Sequence, residues 1–75
     1  MIKVLVGTST EKKNVIVEES KTLKKTLDDN NINYSAAQVY LDGATLKPGD
    51  LKKTFKDFGI TEDCMLIAVV KQSNA

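Results

Sequence analysis

Residues 2–17 contain apolar residues that recur with the two-residue period of β-strands. In residues 2–7, "IKVLVG", the side chains of Ile2, Val4 and Val6 fall on one face and the residues between them fall on the other. This pattern is typical of a strand with one buried face. A polar turn leads to "NVIVE", in which two valines keep the same period. These segments predict an N-terminal β-hairpin.

Residues 20–31, "SKTLKKTLDDNN", change to the period of an α-helix. Leu23 and Leu27 lie four residues apart and therefore on one helical face. Ser20 or Thr22 can cap the start of this helix, and the asparagine pair can end it. Lysines in the first turn and aspartates in the last turn oppose the helix macrodipole. We therefore expect tertiary packing of the leucine face to stabilise this helix.

The segment "QVYLDGATL", residues 38–46, predicts a second hairpin, because Asp42 and Gly43 form a dipeptide favoured in tight two-residue turns. Residues 64–70, "CMLIAVV", are almost entirely apolar and are bounded by polar residues. A short run of this kind predicts a central strand. The element order is then ββαββ, a short helix and β, which indicates an α+β fold.

The short helix is predicted from "KPGDLKKTFKDFG". A Pro-Gly turn precedes Asp50, which we expect to act as the N-cap, and Gly59 is expected to close the helix. The apolar side of this two-turn helix would consist of Leu51, Phe55 and Phe58.

This element order resembles the ubiquitin-like β-grasp fold, in which a mixed sheet packs on one helix. "VEESKTL" (residues 17–23) resembles the ubiquitin stretch between the second strand and the helix, and "VYLDGATLKPGDL" and "FGITEDCMLIAVV" follow at the spacing of its third to fifth strands. The resemblance covers residues 1–71 and implies one domain there, with residues 72–75 as a disordered tail. It suggests a bacterial ubiquitin-like protein.

The C-terminus departs from the pattern of the ubiquitin family. Its conjugating and sulfur-carrying members end in Gly-Gly, whereas the positions after Val70 read "KQSNA" and no glycine follows Gly59. Side chains with a Cβ restrict the backbone and widen it. We therefore expect a mobile, dispensable tail that forms neither an adenylate nor a thioester at Ala75.

Composition argues against several classes of function. All eleven basic residues are lysines, and the net charge is +1, so neither a strong basic field nor arginine-based base recognition favours a nucleic-acid partner. No histidine is available as a general base, and Cys64 lacks a catalytic partner. We expect no enzyme activity, no cofactor and no metal site. The single cysteine fits a cytoplasmic protein, and no apolar run is long enough to cross a membrane.

The resemblance also predicts a protein-interaction surface. In the ubiquitin fold the first and last strands are central neighbours, and the third strand lies beside the last. Alternation would then turn one set of side chains toward the helix, namely Val39, Leu41, Leu66, Ala68 and Val70. Four apolar side chains would face outward, namely Leu5, Tyr40, Ile67 and Val69.

An exposed apolar patch of this kind usually marks an interface. In the ubiquitin family the corresponding sheet face is the main docking surface, and Tyr40, Ile67 and Val69 align with its apolar positions. The leading hypothesis is a non-catalytic module that binds a protein partner, or a second copy of itself, through this face. Two alternatives stay open: a protein modifier or sulfur carrier with an atypical C-terminus, and a structural subunit that forms homo-oligomers.

Overall fold

The computed structural model describes residues 1–70, so the predictions made for Lys71 and for the tail at residues 72–75 lie outside the described residues. The order of elements follows the prediction except in the segment before the last strand. The elements are β1 (Ile2–Thr8), β2 (Lys12–Val17), α1 (Leu23–Asp29), β3 (Ala37–Leu41), β4 (Ala44–Thr45), two 3₁₀ helices (Pro48–Lys52 and Lys56–Phe58) and β5 (Cys64–Val70).

The five strands form one mixed sheet in the order β2-β1-β5-β3-β4. β1 and β5 are parallel central neighbours, and the other pairs are antiparallel. The tight turn between β3 and β4 has positive φ at both Asp42 (51°) and Gly43 (85°). Positive φ at both central residues is the reason that Asp-Gly is favoured in such turns. The predicted α+β fold and its second hairpin are confirmed.

Helix α1 begins and packs as its sequence predicts. The hydroxyl of Thr22 accepts a hydrogen bond from the backbone N–H of Lys25 at 3.1 Å and so caps the first turn. Leu23 and Leu27 are fully buried. The helix therefore contributes its leucine face to the core between itself and the sheet.

The predicted two-turn helix after the second hairpin was wrong, because the chain forms two short 3₁₀ helices there. Asp50 lies inside the first 3₁₀ helix rather than at its N-cap, and its carboxylate accepts the backbone N–H of Lys47 at 3.0 Å. Leu51 and Phe55 are buried and Phe58 is half-buried, so the predicted apolar side still faces inward. Gly59 closes the second 3₁₀ helix with φ of 73°, as predicted.

A long-range backbone contact explains the break between the two 3₁₀ helices. Lys53 is extended, with φ of −85° and ψ of 160°, and its carbonyl accepts the N–H of Leu23 at 3.0 Å. Thr54 and Asp57 then cap each other: the carboxylate accepts one backbone N–H at 2.9 Å, and the hydroxyl accepts the other at 3.0 Å. A continuous helix would lose both features. No helix within residues 1–70 is long and apolar enough to span a membrane.

Candidate protein-interaction surface

The outer face, defined here as the face of the sheet opposite α1, carries the four predicted site residues. β1 places Leu5 beside Met65 of β5, and β3 places Tyr40 directly opposite Ile67. Val69 follows two residues later on β5 and therefore on the same face. The structure brings the side chains of Leu5, Tyr40, Ile67 and Val69 onto adjacent strands.

Exposure differs among these four residues. Leu5, Tyr40 and Val69 are partly exposed, whereas Ile67 is only 9% exposed. The predicted solvent accessibility of Ile67 was therefore wrong, although the residue belongs to the outer face and not to the core beneath α1. Its place in the middle of the sheet, directly opposite the aromatic ring of Tyr40, explains the burial, because opposite side chains on paired strands are in contact.

By strand alternation Val70 lies on the helix-side face of β5 with the buried Leu66 and Ala68, as predicted, but its side chain is 58% exposed rather than covered. Val70 ends β5, where its neighbour on β3 is the small Ala37. On the other side, the pairing of β1 with β5 extends only to Thr8 and Ala68. No large side chain of the paired strands therefore covers Val70.

Met65 is an outer-face residue that the sequence argument missed. It is 42% exposed and lies beside Leu5. Its backbone exchanges two hydrogen bonds with Asp42, whose carboxylate accepts the Met65 N–H at 2.8 Å and whose own N–H donates to the Met65 carbonyl at 2.9 Å. Strand alternation from Ile67 could have placed Met65 on the outer face. Residues 64–70 are nearly all apolar, so the sequence itself does not distinguish the two faces of β5.

A shallow depression of about 400 Å³ lies at this end of the outer face. Its lining combines the apolar side chains of Leu5 and Met65 with charged groups of both signs, Lys3, Asp42 and Asp63. An apolar centre with a polar rim is the usual anatomy of a protein interface.

Cys64 belongs to the buried core of the domain. Its side chain is buried. Burial, together with the negative charges of Asp42 and Asp63, raises the pKa of the thiol to about 11. Because the thiolate is the reactive form, a thiol that stays protonated at neutral pH is poorly suited to nucleophilic chemistry.

This raised pKa predicts a loss of stability at alkaline pH. The ordinary pKa of the thiol is 9.0, so above that pH the unfolded chain loses the Cys64 proton while the folded chain keeps it up to about pH 11. The contribution to stability is therefore complete below the unfolded pKa. It falls by about 1.4 kcal/mol per pH unit between the two values.

Urea unfolding from neutral pH to pH 11 measures this effect when the chain is compared with Cys64→Val. Lysine and tyrosine titrations are common to both proteins and cancel in the difference. Parallel stability curves for the two proteins would contradict the assignment of a raised pKa to Cys64.

Within residues 1–70 no group of three or more histidine, cysteine, aspartate or glutamate side chains lies close enough to hold a metal ion.

Comparison with known proteins identifies the fold. Neither a protein-family model nor a curated protein matches the chain. Among solved structures, the ubiquitin-like domain of an Arabidopsis thaliana protein, determined by solution NMR, is 24% identical with a TM-score of 0.73, over 99% of this chain and 81% of that chain. A second NMR structure of the same plant protein is 25% identical with a TM-score of 0.69, over 97% and 89% of the two chains.

The ubiquitin of the archaeon Caldiarchaeum subterraneum is also similar, with 11% identity and a TM-score of 0.67 over 99% of this chain and 98% of that chain. The chain therefore has the ubiquitin-like β-grasp fold. Because this fold serves proteins of different function, the activity has to be argued from the surface.

Proposed function

We propose that this protein is a non-catalytic ubiquitin-like interaction module that binds a protein partner through its outer face. The observation that carries the proposal is the adjacency of Leu5 and Met65 on the two central strands, where they line a depression together with charged groups. Met65 is a large apolar side chain that is 42% exposed. A flexible thioether of this kind adapts to the side chains of a partner.

The remaining predicted residues extend this contact area across the sheet. Tyr40 and Val69 are partly exposed on β3 and β5. Ile67 lies between them and supports Tyr40 from the opposite strand. Interfaces are enriched in tyrosine and methionine and depleted in charge at their centre, which fits this arrangement. We therefore assign Leu5, Tyr40, Met65 and Val69 to the contact and Ile67 to its support.

Met65→Asp is the variant that tests the proposal. Because Met65 is exposed, we expect the free energy of unfolding to fall by only about 1 kcal/mol, which reflects the low strand propensity of aspartate and the nearby carboxylate of Asp42. We expect capture of the partner from native-cell extract, measured by quantitative pull-down, to fall at least about tenfold, since the interface would bury an unpaired charge. Ile67→Asp is unsuitable here, because it would place a charge at a site already buried in the monomer.

Val70→Asp serves as the matched control, because it adds the same charge at an exposed apolar residue away from the outer face. Its pull-down should equal that of the unmodified chain. Loss of the partner in Val70→Asp with retention in Met65→Asp would refute the proposal.

Light scattering after size-exclusion chromatography tests the homo-oligomer alternative. A dimer of the unmodified chain that becomes a monomer in Met65→Asp would show that the partner is a second copy.

The modifier or sulfur-carrier alternative depends on residues 71–75, which lie outside the described residues. Mass spectrometry of the protein from its native host tests it separately. An isopeptide bond or a thiocarboxylate at the C-terminal carboxyl group would favour that alternative over the interaction module.

A further inference from the structure

A second surface of the molecule, on the opposite side of the sheet from the outer face, combines an apolar floor with a basic rim. This basic groove lies between α1, β3 and the first 3₁₀ helix and has a volume of about 440 Å³. Side chains that line it include Ala37, Val39, Leu46 and Leu51. A volume of this size can accommodate one or two side chains of a bound peptide.

Three lysines line the rim of the basic groove, each contributed by a different segment. Lys24 lies in α1, Lys47 precedes the first 3₁₀ helix, and Lys52 ends that helix. All three are exposed, and within residues 1–70 their ammonium groups form no ion pair. Lys21, Lys25 and Lys53, by contrast, pair with aspartates. The aspartates that pair with Lys21, Lys25 and Lys53 therefore leave Lys24, Lys47 and Lys52 without an ion pair among residues 1–70.

Among residues 1–70, the carboxylates near this rim form ion pairs or hydrogen bonds with other groups rather than ion pairs with Lys24, Lys47 or Lys52. Within the described residues 1–70, no aspartate or glutamate lines the basic groove. Asp50, in the first 3₁₀ helix, accepts the backbone N–H of Lys47 at 3.0 Å and pairs with Lys53 at 3.4 Å. These contacts hold its pKa below the ordinary value, the backbone hydrogen bond being the largest cause. Asp28 interacts with the hydroxyl of Tyr34, a further lining residue.

The geometry points to a second docking site, which binds an acidic segment of a partner protein through an apolar anchor. Carboxylates on the segment would approach Lys24, Lys47 and Lys52, while a leucine-sized or aromatic side chain between them would contact the floor. A peptide fits this chemistry better than a single-stranded nucleic acid, because the floor is aliphatic and, among residues 1–70, Tyr34 is the only aromatic residue that lines the groove. The site is distinct from the outer face, so both surfaces can be occupied at once.

The test is a titration of the ¹⁵N-labelled chain with a capped peptide that carries a central leucine-phenylalanine pair flanked by glutamates. We expect amide shift changes to cluster at Tyr34, Ala37, Leu46 and Leu51. Binding should weaken several-fold as salt rises from about 50 to about 200 mM, since exposed charges are screened over that range. Changes confined to the outer face, or no changes, would overturn the assignment.

Two altered peptides, each titrated against the unmodified protein, separate the contributions of charge and of apolar contact to the binding affinity. Replacing the glutamates by glutamines, or the leucine-phenylalanine pair by serines, should each reduce affinity by about tenfold or more. A serine peptide that binds as tightly as the original would mean that only general charge attraction is present. That result would overturn the site, as would tighter binding of a single-stranded RNA oligonucleotide at the same amides.

Matched lysine variants complete the experiment. The triple change Lys24→Gln, Lys47→Gln and Lys52→Gln should weaken the acidic peptide by about tenfold. A control with Lys12→Gln, Lys13→Gln and Lys56→Gln removes the same net charge from exposed residues that line neither the basic groove nor the depression on the outer face, and it should stay within about twofold of the unmodified chain. Equal effects of the two triple variants would refute a localised site.

Discussion

Phe55→Ala should lower the free energy of unfolding by about 3–5 kcal/mol, the usual range for a fully buried phenylalanine. Phe55 is 0% exposed and belongs to the core cluster. Its backbone also supports the second 3₁₀ helix and the residues after it, because its carbonyl accepts the N–H groups of Phe58 and Ile60, at 3.1 and 3.0 Å. A cavity at this position would therefore loosen both the core and the connection to β5.

Phe58→Ala is the matched control for this prediction. Phe58 is half-buried beneath the ammonium group of Lys53, which lies 5.8 Å from the ring centre. Its removal should cost roughly 1–2 kcal/mol, because only part of the ring has left water. Chemical denaturation with both variants measures the difference. If Phe55→Ala costs no more than Phe58→Ala, the packing inferred for Phe55 is incorrect.

A loss of 5 kcal/mol approaches the total stability of a domain of this size. Phe55→Leu offers a milder measurement if the alanine variant does not fold. The leucine keeps most of the buried volume, so we expect a cost near 1 kcal/mol. Comparison with Phe58→Leu then preserves the ranking of the two positions.

Local patterns were sufficient to predict α1 and the β3–β4 turn. Leu23 and Leu27 have helical spacing, and Thr22 is a capping residue directly before them. Asp42 and Gly43 both adopt the positive φ that their residue types tolerate. In each case the residues that determine the conformation are neighbours in sequence, so a short window contains the necessary information.

The segment from Pro48 to Phe58 could not be predicted in the same way. Its break at Lys53 depends on a hydrogen bond to Leu23 in a different element. Local propensity favoured a continuous helix, because no proline or glycine lies between Asp50 and Gly59. Tertiary contacts of this kind override weak local preferences.

The candidate surfaces show a second limit of sequence patterns. Alternation correctly placed Ile67 on the outer face, but alternation specifies the direction of a side chain and not the size of its neighbours. The low exposure of Ile67 depends on Tyr40, which lies opposite it on β3. The high exposure of Val70 depends on the small size of Ala37, its neighbour on β3. The basic groove is even harder to predict from the sequence, because Lys24, Lys47 and Lys52 become neighbours only after folding.

The second large effect is expected for Gly7→Ala, which should cost about 3 kcal/mol, at the upper end for overpacking. A Cβ atom at Gly7 would lie 2.0 Å from the carbonyl oxygen of Glu11 and 2.7 Å from the Cα of Lys12. Both are backbone atoms, so no side chain can move aside. The same Glu11 oxygen accepts the N–H of Thr8 at 2.7 Å, and the Thr8 hydroxyl accepts the Glu11 N–H at 3.2 Å. The turn can therefore shift only by breaking its own hydrogen bonds.

Gly49→Ala provides the control for the glycine substitution itself. A Cβ at Gly49 meets no atom within 4 Å, and Gly49 does not have a positive φ. This change should therefore stabilise the fold by about 0.4–1 kcal/mol, because alanine restricts the unfolded chain. Thermal and urea unfolding of the two variants should thus change in opposite directions. A Gly7→Ala protein as stable as Gly49→Ala would show that the β1–β2 turn does not pack over Gly7, and that the adjoining end of the outer face, next to Ile67, is more open than described.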